Sequence, residues 1–482
     1  MKKMIKKRWF RVLLRTTVIG LTLLVLSVAI FNWRTAREKN DVIARARAAG
    51  LPLTLEEFTA GMPPDDQNFA RSGFMKMLEE EYENPSRHKP APASAKARFL
   101  AVGDKEVLGA LARHRRKNPD FTDFSQLPEN SAYGNDAASF LKEFDRRHGS
   151  LLDELKAAFS LPFSRPRFVP ENFTGGVALS SLSAGYPMDS RGFQDGMRLR
   201  AEAALVTGDS GKAAESIGIM ARMSETVGSR GMLVSSLVEF VSLREIRKPL
   251  KIGIRKHQWT TEDLEKIFTA LSRPDLRQHV RKGIESEILM IHLWEEVKKD
   301  RKQFSMVGPF LWNGDDTPVV EWIFNKGGTW LPRGFFDFRA TDIVKQTLRC
   351  TAIAADPGPV IHWWREGKAM RDAYDSMGKL GKRMQSFPSE ALLLSHGSRA
   401  LVNLQLDLAA CALERHRIDH GEYPDSLDPI PRQLTIDPLH GSSFRYKRTE
   451  EGFLLYSVGP NGVDDGGEEG KGSSMDQKDW VW

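Results

Sequence analysis

Cysteine is scarce in this chain. Its 482 residues include two, Cys350 and Cys411, so no more than one disulfide can form within the chain. Both lie in apolar, alanine-rich stretches with a helical pattern, where a buried free thiol is the ordinary state of cysteine. We therefore expect two free thiols. A single disulfide formed in an oxidising compartment is the alternative.

Familiar catalytic motifs are missing as well. The sequence has no Gly-x-Ser-x-Gly, no His-Glu-x-x-His and no Cys-x-x-Cys. The glycine-rich stretch 467–472 contains two acids, and its lysine is not followed by the Ser or Thr of a phosphate-binding loop. These absences leave the sequence without a motif that names a reaction.

Two histidines near the C-terminus have a spacing that suits a metal ion. His416 and His420 are four residues apart on a predicted helix, with Glu414 nearby, but no third strong ligand follows at a defined spacing. His420 also occupies the last helical turn before Gly421, where a cation interacts favourably with the helix dipole. We favour this structural role for His420 over metal binding.

The positive charge of the chain is concentrated at its N-terminus. There are 70 Lys and Arg residues against 63 Asp and Glu, a formal net charge of +7. Seven cations precede residue 16 with no acid among them: Lys2, Lys3, Lys6, Lys7, Arg8, Arg11 and Arg15. Without these seven, 63 basic residues balance 63 acidic ones. A nucleic-acid partner is therefore not expected, because the rest of the chain carries no net positive charge to support such a surface.

An uncharged run follows these cations. As an α-helix, residues 16–33 would be about 27 Å long, close to the thickness of the hydrocarbon core of a bilayer. Trp33, at the end of this run, is a residue type typical of the membrane–water interface. The cations before the run predict a cytoplasmic N-terminus. We predict a cytoplasmic basic segment at 1–15, one transmembrane helix at 16–33 in a bacterial inner membrane, and a periplasmic C-terminal bulk. A cleaved signal peptide, with Ser27-Val28-Ala29 as its cleavage site, is the alternative.

Residues 34–397 are predicted to form a helical extracytoplasmic body. Residues 34–50 extend the membrane helix, and the stretch 197–299 repeats apolar residues at spacings of three and four. Thr260 and Asp263 form a capping pair at the start of one helix. We therefore expect antiparallel helical hairpins joined by short turns.

Residues 303–338 form an insert rich in aromatic residues and glycine. Its rings are Phe304, Phe310, Trp312, Trp322, Phe324, Trp330, Phe335, Phe336 and Phe338. One interpretation is an aromatic surface that contacts lipid headgroups or a partner. The other, which we favour, is that the rings cover the helical core, because aromatic clusters usually bury their own area within a domain.

The last part of the chain, 398–482, is predicted to be a small α+β module. A helix at 400–420 is apolar around most of its girth, so more than one neighbour should bury it. Gly421 ends this helix, and short strands at 444–447 and 453–458 form a hairpin. The hairpin needs the helix for its stability.

The C-terminal part contains, in this order, the stretches His420-Gly421-Glu422-Tyr423-Pro424, Ile436-Asp437-Pro438 and Leu455 to Gly462, and an acidic tail that ends in Trp482. Their order resembles the C-terminal globular part of the major pseudopilin of type II secretion systems. The chain lacks the Gly-Phe cleavage site before the apolar run and the Glu at the fifth mature position, so we do not expect it to be a pilin subunit with a processed N-terminus. The body is similar to uncharacterised membrane-anchored proteins of planctomycete and verrucomicrobial type, which share the pattern Pro63-Pro64…Asn68.

The pseudopilin resemblance implies a calcium site in the last loop. It places a carbonyl ligand near Val458 and side-chain ligands at Asn461 and Asp476, with Asp464 and Asp465 as further acidic groups. Asn461 stands where the family has Asp, and Ser474 stands where it has a further Asp, which weakens the implied site. A solvated acidic tail without an ion is the alternative.

The sequence as a whole predicts a mainly α protein with one transmembrane helix, a helical-hairpin body and a small pseudopilin-like α+β module. The function that follows is a membrane-anchored periplasmic scaffold or interaction protein, non-catalytic and associated with secretion or envelope machinery. Its expected partners are the membrane and envelope or secretion proteins. The alternative function is an envelope enzyme with its site in the helical body.

Overall fold

The computed structural model describes residues 2–83, 93–109, 123–127, 131–166, 176–299, 332–378, 381–382, 385, 387–469 and 478–482. Within these ranges the chain is mainly helical, with one small antiparallel sheet near the C-terminus, as predicted. The helices are α1 Lys2–Ala48, α2 Leu55–Thr59, α3 Gly73–Glu83, α4 Ala95–Val102, α5 Ala137–Ala157, α6 Gly176–Val206, α7 Ser210–Gly228, α8 Leu233–Arg255, α9 Thr261–Leu271, α10 Leu276–Glu287, α11 Met290–Lys299, α12 Arg333–Ala354, α13 Ile361–Asp375, α14 Ser389–His420 and α15 Arg432–Thr435. Short 3-10 turns lie at Asp65–Gln67, Phe69–Arg71 and Phe124–Gln126.

Helix α1 is long and apolar enough to cross a membrane. An 18-residue window within Val12–Ala48 has a mean hydropathy of 2.1, and the apolar side chains of α1 up to Trp33 are largely exposed. Further along the same helix, Val42 and Ala46 are fully buried. The predicted continuation of this helix beyond residue 33 is therefore confirmed, and the helix changes from an exposed apolar rod to a packed one without a break.

The second half of α1 packs against α12. The Lys39 ammonium lies 2.8 Å from Asp337 Oδ1 and also pairs with Glu295. The Gly334 amide donates to Asn32 Oδ1 at 2.6 Å, and a Cβ on Gly334 would lie 2.6 Å from Thr35 Oγ1. Only glycine allows the two helices to approach so closely at this point.

The centre of the body is a stack of helices from α6 to α10. Helices α6, α7 and α8 pack together around a continuous apolar core, while α9 packs against α7 and α10 packs against α8. Asp209 caps α7, and Thr260 with Asp263 forms the predicted capping box of α9. The expectation of helices joined by short turns is confirmed here, because only a few residues separate α6, α7, α8, α9 and α10.

The 32-residue helix α14 joins the body to the C-terminal module. It packs against α8, α10 and α13 of the body and against strand β2 of the module. The boundary predicted between residues 397 and 398 lies inside this helix. Leu406, Ala409 and Leu413 are fully buried, which agrees with a helix that is covered on more than one side.

The sheet has the order β1 Arg445–Thr449, β2 Gly452–Ser457 and β3 Trp480–Val481. Strands β1 and β2 form the predicted hairpin, with Arg445 opposite Tyr456 and Thr449 opposite Gly452. The third strand was not predicted. It pairs antiparallel with β2 and brings the chain end back onto the module.

Cys350 and Cys411 are buried free thiols, as expected, and burial raises the pKa of both.

In the aromatic insert, Phe335 and Phe336 are buried and pack edge to face, with Trp294 beside Phe336. At this end of the insert the rings cover a core. The aromatic residues of the insert from Phe304 to Trp330 lie outside the described residues.

Candidate functional site

The loop predicted to bind calcium is held by its own hydrogen bonds. The Asp464 carboxylate accepts from the Tyr456 hydroxyl at 2.8 Å and pairs with Arg445 Nε at 3.0 Å. The hydrogen bond from Tyr456 is the main reason why the pKa of Asp464 is lowered. These contacts occupy Asp464 with partners from the sheet.

The other predicted ligands are distributed around this loop. Asn461 Nδ2 donates to Asp465 Oδ2 at 3.1 Å, and Asn461 Oδ1 accepts from the Val463 amide at 3.0 Å. Val458 directly follows strand β2, and Asp476 lies outside the described residues. No group of three or more His, Cys, Asp or Glu residues suited to a metal ion occurs among the residues described. Calcium binding stays a prediction.

Glu414, His416 and His420 lie in the last two turns of α14. The buried Glu414 carboxylate accepts from two nitrogens of Arg417, at 2.9 and 2.8 Å, and from the Tyr423 hydroxyl. The rings of His416 and His420 stack with centroids 4.0 Å apart, and His420 Nδ1 contacts the His416 carbonyl at 3.0 Å. Gly421 follows in the left-handed conformation, as predicted for the helix stop.

The joint between body and module contains a buried ion pair. Arg247 Nε of α8 lies 2.7 Å from Asp407 Oδ1 of α14, and Trp482 Nε1 donates to the same oxygen at 2.9 Å. The Lys251 ammonium lies 5.3 Å from the centre of the Trp482 ring, and burial lowers the pKa of Lys251 to about 8. Trp482 is thus fixed to the body through charged side chains.

Two carboxylates meet where α10 and α14 come together. Ser389 Oγ lies 2.9 Å from Glu287 Oε2 and 3.3 Å from Glu390 Oε2, and Thr347 Oγ1 donates to Glu390 Oε1 at 3.1 Å. Burial raises the pKa of Glu287 to about 7 and that of Glu390 to about 8. Both carboxylates are therefore protonated more readily than an exposed glutamate.

A buried carboxylate and imidazole form a second pair inside the body. His279 Nδ1 of α10 lies 2.9 Å from both carboxylate oxygens of Glu239 of α8. A Cβ on Gly228 would lie 2.0 Å from Glu239 Oε2, so glycine makes room for the carboxylate beneath α7. Ser236 Oγ donates to the His279 carbonyl at 3.1 Å and fixes the backbone that carries the imidazole.

The His279 imidazole also lines a cavity of about 400 Å³. The Glu239–His279 pair, in which both pKa values are shifted, thus adjoins a cavity of the helical body. Such a combination is typical of functional sites. Sequence reasoning missed the pair because its members are 40 residues apart. One signal was present in the sequence: a single acid, Glu239, stands between the apolar residues Val238 and Phe240 of a strongly periodic helix.

No protein-family model matches the chain, and neither do the curated proteins or the solved structures with which it was compared. The resemblances to pseudopilins and to membrane-anchored planctomycete and verrucomicrobial proteins therefore remain predictions.

Proposed function

We propose that this chain is a single-pass inner-membrane protein with a cytoplasmic N-terminus, a helical periplasmic body and a non-catalytic scaffold role for envelope or secretion proteins. The observation that carries the proposal is the unbroken passage of α1 from an exposed apolar rod into a helix packed on the body. The link to secretion rests on the resemblance of the C-terminal module to pseudopilins.

The packing of α1 supports a fixed distance and orientation between the body and the bilayer. The contacts of α1 with α12 run from Asn32, which accepts from the Gly334 amide, to Lys39, which pairs with Asp337, over about 10 Å at the rise of an α-helix. Lys39 is largely buried between two carboxylates, and removal of one partner of such a pair is strongly destabilising. A scaffold benefits from this rigidity, whereas an enzyme tethered for a diffusing substrate does not need it.

The N-terminal charges and the interfacial tryptophan support the proposed orientation. Seven cations precede the apolar run, and Trp33 at its end is 62% exposed. A reporter that is active only in the periplasm, fused after Trp482, should be active. Activity of a cytoplasmic reporter at that position would contradict the proposed topology.

The scaffold role predicts a stoichiometric envelope partner. Crosslinking in intact cells, followed by purification of the full chain from membranes, should recover the same envelope protein with the wild type and with Gly20→Ala. A Cβ at Gly20 would have nothing within 4 Å, whereas a Cβ at Gly334 clashes with α1, so Gly334→Ala should reduce recovery at equal expression. Equal recovery with both variants would contradict a role for the rigid joint, and no recovered partner would contradict the scaffold.

The second candidate function is an envelope enzyme, favoured by the Glu239–His279 pair beside a cavity. A carboxylate that orients an imidazole is a common arrangement for proton transfer. Hydrolysis of chromogenic esters or phosphate esters by the full chain, abolished in His279→Gln, would favour this candidate over the scaffold.

A further inference from the structure

The cavity beside His279 is formed by four separate parts of the chain. Its walls come from the segment after α2, the stretch that precedes residue 166, the α7–α8 connection and the start of α10. A volume of about 400 Å³ is within the range of sites that hold small organic ligands. The cavity is therefore large enough for a molecule of metabolite size.

One wall is held in place by the fully buried Asn68. Asn68 Nδ2 donates to the Arg165 carbonyl at 2.7 Å, and the Arg165 amide donates to Asn68 Oδ1 at 2.9 Å. The pattern Pro63-Pro64…Asn68 therefore has a structural role at this cavity. Both prolines line the cavity, and Asn68 fixes the backbone of Arg165, which lines it as well.

The Arg165 guanidinium is held across the cavity wall by backbone carbonyls. It donates to the carbonyls of Phe58, Ala60 and Gly61 at 3.3, 3.2 and 3.1 Å. Carbonyl oxygens carry no net charge, so these contacts orient the guanidinium and leave its positive charge in place. Arg165 therefore contributes both to the shape and to the potential of the cavity.

The charges around the cavity have a positive excess. Four cationic side chains line it against two carboxylates: Arg165, Arg230, Arg273 and Lys282 against Glu225 and Asp275. Glu225 pairs with Arg222 from outside the cavity and lies 3.4 Å from Arg273 Nε at its wall, while Asp275 caps α10 through the Gln278 amide. The acids are thus engaged by the protein, and a cleft with an excess of cations attracts anions.

His279 adds a hydrogen-bond donor to this positive wall. Its Nδ1 faces Glu239, which fixes the ring, so the second ring nitrogen is the one left to meet a ligand in the cavity. Burial by itself lowers the pKa of His279, but the Glu239 carboxylate reverses this effect and raises it. Burial raises the pKa of Glu239. Both shifts favour the protonated form of the pair.

We propose that this cavity binds the oxyanion group of a small molecule, a carboxylate or a phosphate, between Lys282, Arg230 and the Glu239-backed imidazole of His279. The ammonium of Lys282 is partly exposed, and it lies 5.8 Å from the centre of the Phe58 ring at the other wall. It also lies 3.9 Å from Glu285 Oε2, which is longer than a hydrogen bond. This binding function is independent of the scaffold role, which does not use the cavity.

The proposal also predicts how pH affects binding. The charged groups around His279 are Glu239 of α8, Glu225 of α7, Asp275 before α10, Lys282 of α10, Arg273, Arg230 and Arg165. The three acids favour the protonated imidazole, while the arginines remain charged throughout the range. Binding should weaken as the pH rises and the Glu239–His279 pair loses its proton, because the pair then carries a net negative charge.

The test is calorimetric titration of the full chain in detergent micelles with inorganic phosphate and, separately, with succinate at constant ionic strength. We expect saturable binding of at least one of them with one site per chain. Lys282→Gln and His279→Gln should each weaken it about tenfold, the loss of one charge-assisted hydrogen bond. Binding of phosphate alone or of succinate alone supports the proposal and identifies the group that is recognised.

The matched control is Lys266→Gln, which removes an exposed cation of α9 that pairs with Glu262 and does not line this cavity. It should leave the affinity unchanged. Glu239→Gln keeps the shape of the buried side chain and should weaken binding more at pH 6 than at pH 8. The absence of saturable binding of both anions, or affinities unchanged in both Lys282→Gln and His279→Gln, would overturn the proposal. Melting curves of each variant establish that it is folded.

Discussion

Asp407 offers a sharp test of how the body and the C-terminal module are joined. Asp407→Ala removes the carboxylate that pairs with Arg247 and accepts from Trp482. Arg247 keeps two contacts to Asn403, one of them 3.0 Å from Nη1 to the side-chain oxygen, but it loses its buried counter-charge. Breaking a buried ion pair by removing one partner costs about 3–5 kcal/mol.

A surface pair on the same helix provides the control. Asp419 lies 3.9 Å from Arg415, and both side chains are about half exposed. Asp419→Ala should therefore change the free energy of unfolding by less than about 1 kcal/mol. The two substitutions share the residue type and the helix α14, and they differ in burial.

Urea denaturation of the full chain in detergent micelles, followed by circular dichroism, measures both changes. Asp407→Ala should lower the midpoint clearly, and the double variant with Arg247→Ala should cost less than the sum of the single variants. The reasoning is refuted if Asp407→Ala costs no more than Asp419→Ala, or if the Arg247 and Asp407 effects are additive. In either case the pair would not stabilise the joint.

Three further predictions concern the anchor, the paired carboxylates and the last loop. Gly334→Ala should lower the melting temperature of the full chain, because its Cβ would lie 2.6 Å from an atom of α1, whereas Gly20→Ala should not. Burial raises the pKa of Glu390 from 4.5 to about 8, so its stabilising contribution is complete below about pH 4.5 and is lost as the pH rises to about 8. The difference in melting temperature between pH 5 and pH 8 should therefore be smaller in Glu390→Gln than in the wild type. An unchanged difference would contradict this prediction. If the last loop binds calcium, calcium should raise the melting temperature more in Asn461→Asp than in the wild type, and magnesium should have a smaller effect. A calorimetric titration that shows no heat of calcium binding would contradict the site.

The features that the sequence determined by itself are local. The uncharged run at 16–33, the capping box at Thr260 and the hairpin of β1 and β2 depend on residues a few positions apart. Hydrophobic length, side-chain capping and strand alternation act over such distances, so a single sequence reveals them. The helical class of the body followed from the same periodicity.

Only the tertiary structure decided which distant side chains meet. Asn68 and Arg165 are 97 residues apart, and Arg247 and Asp407 are 160 apart. The apolar neighbours of Glu239 indicate that it is buried, but they do not identify its partner, because His279 lies on another helix and the room for the carboxylate comes from Gly228 on a third. The charge and shape of a buried site depend on packing between helices, and neither periodicity nor composition of one segment contains that information.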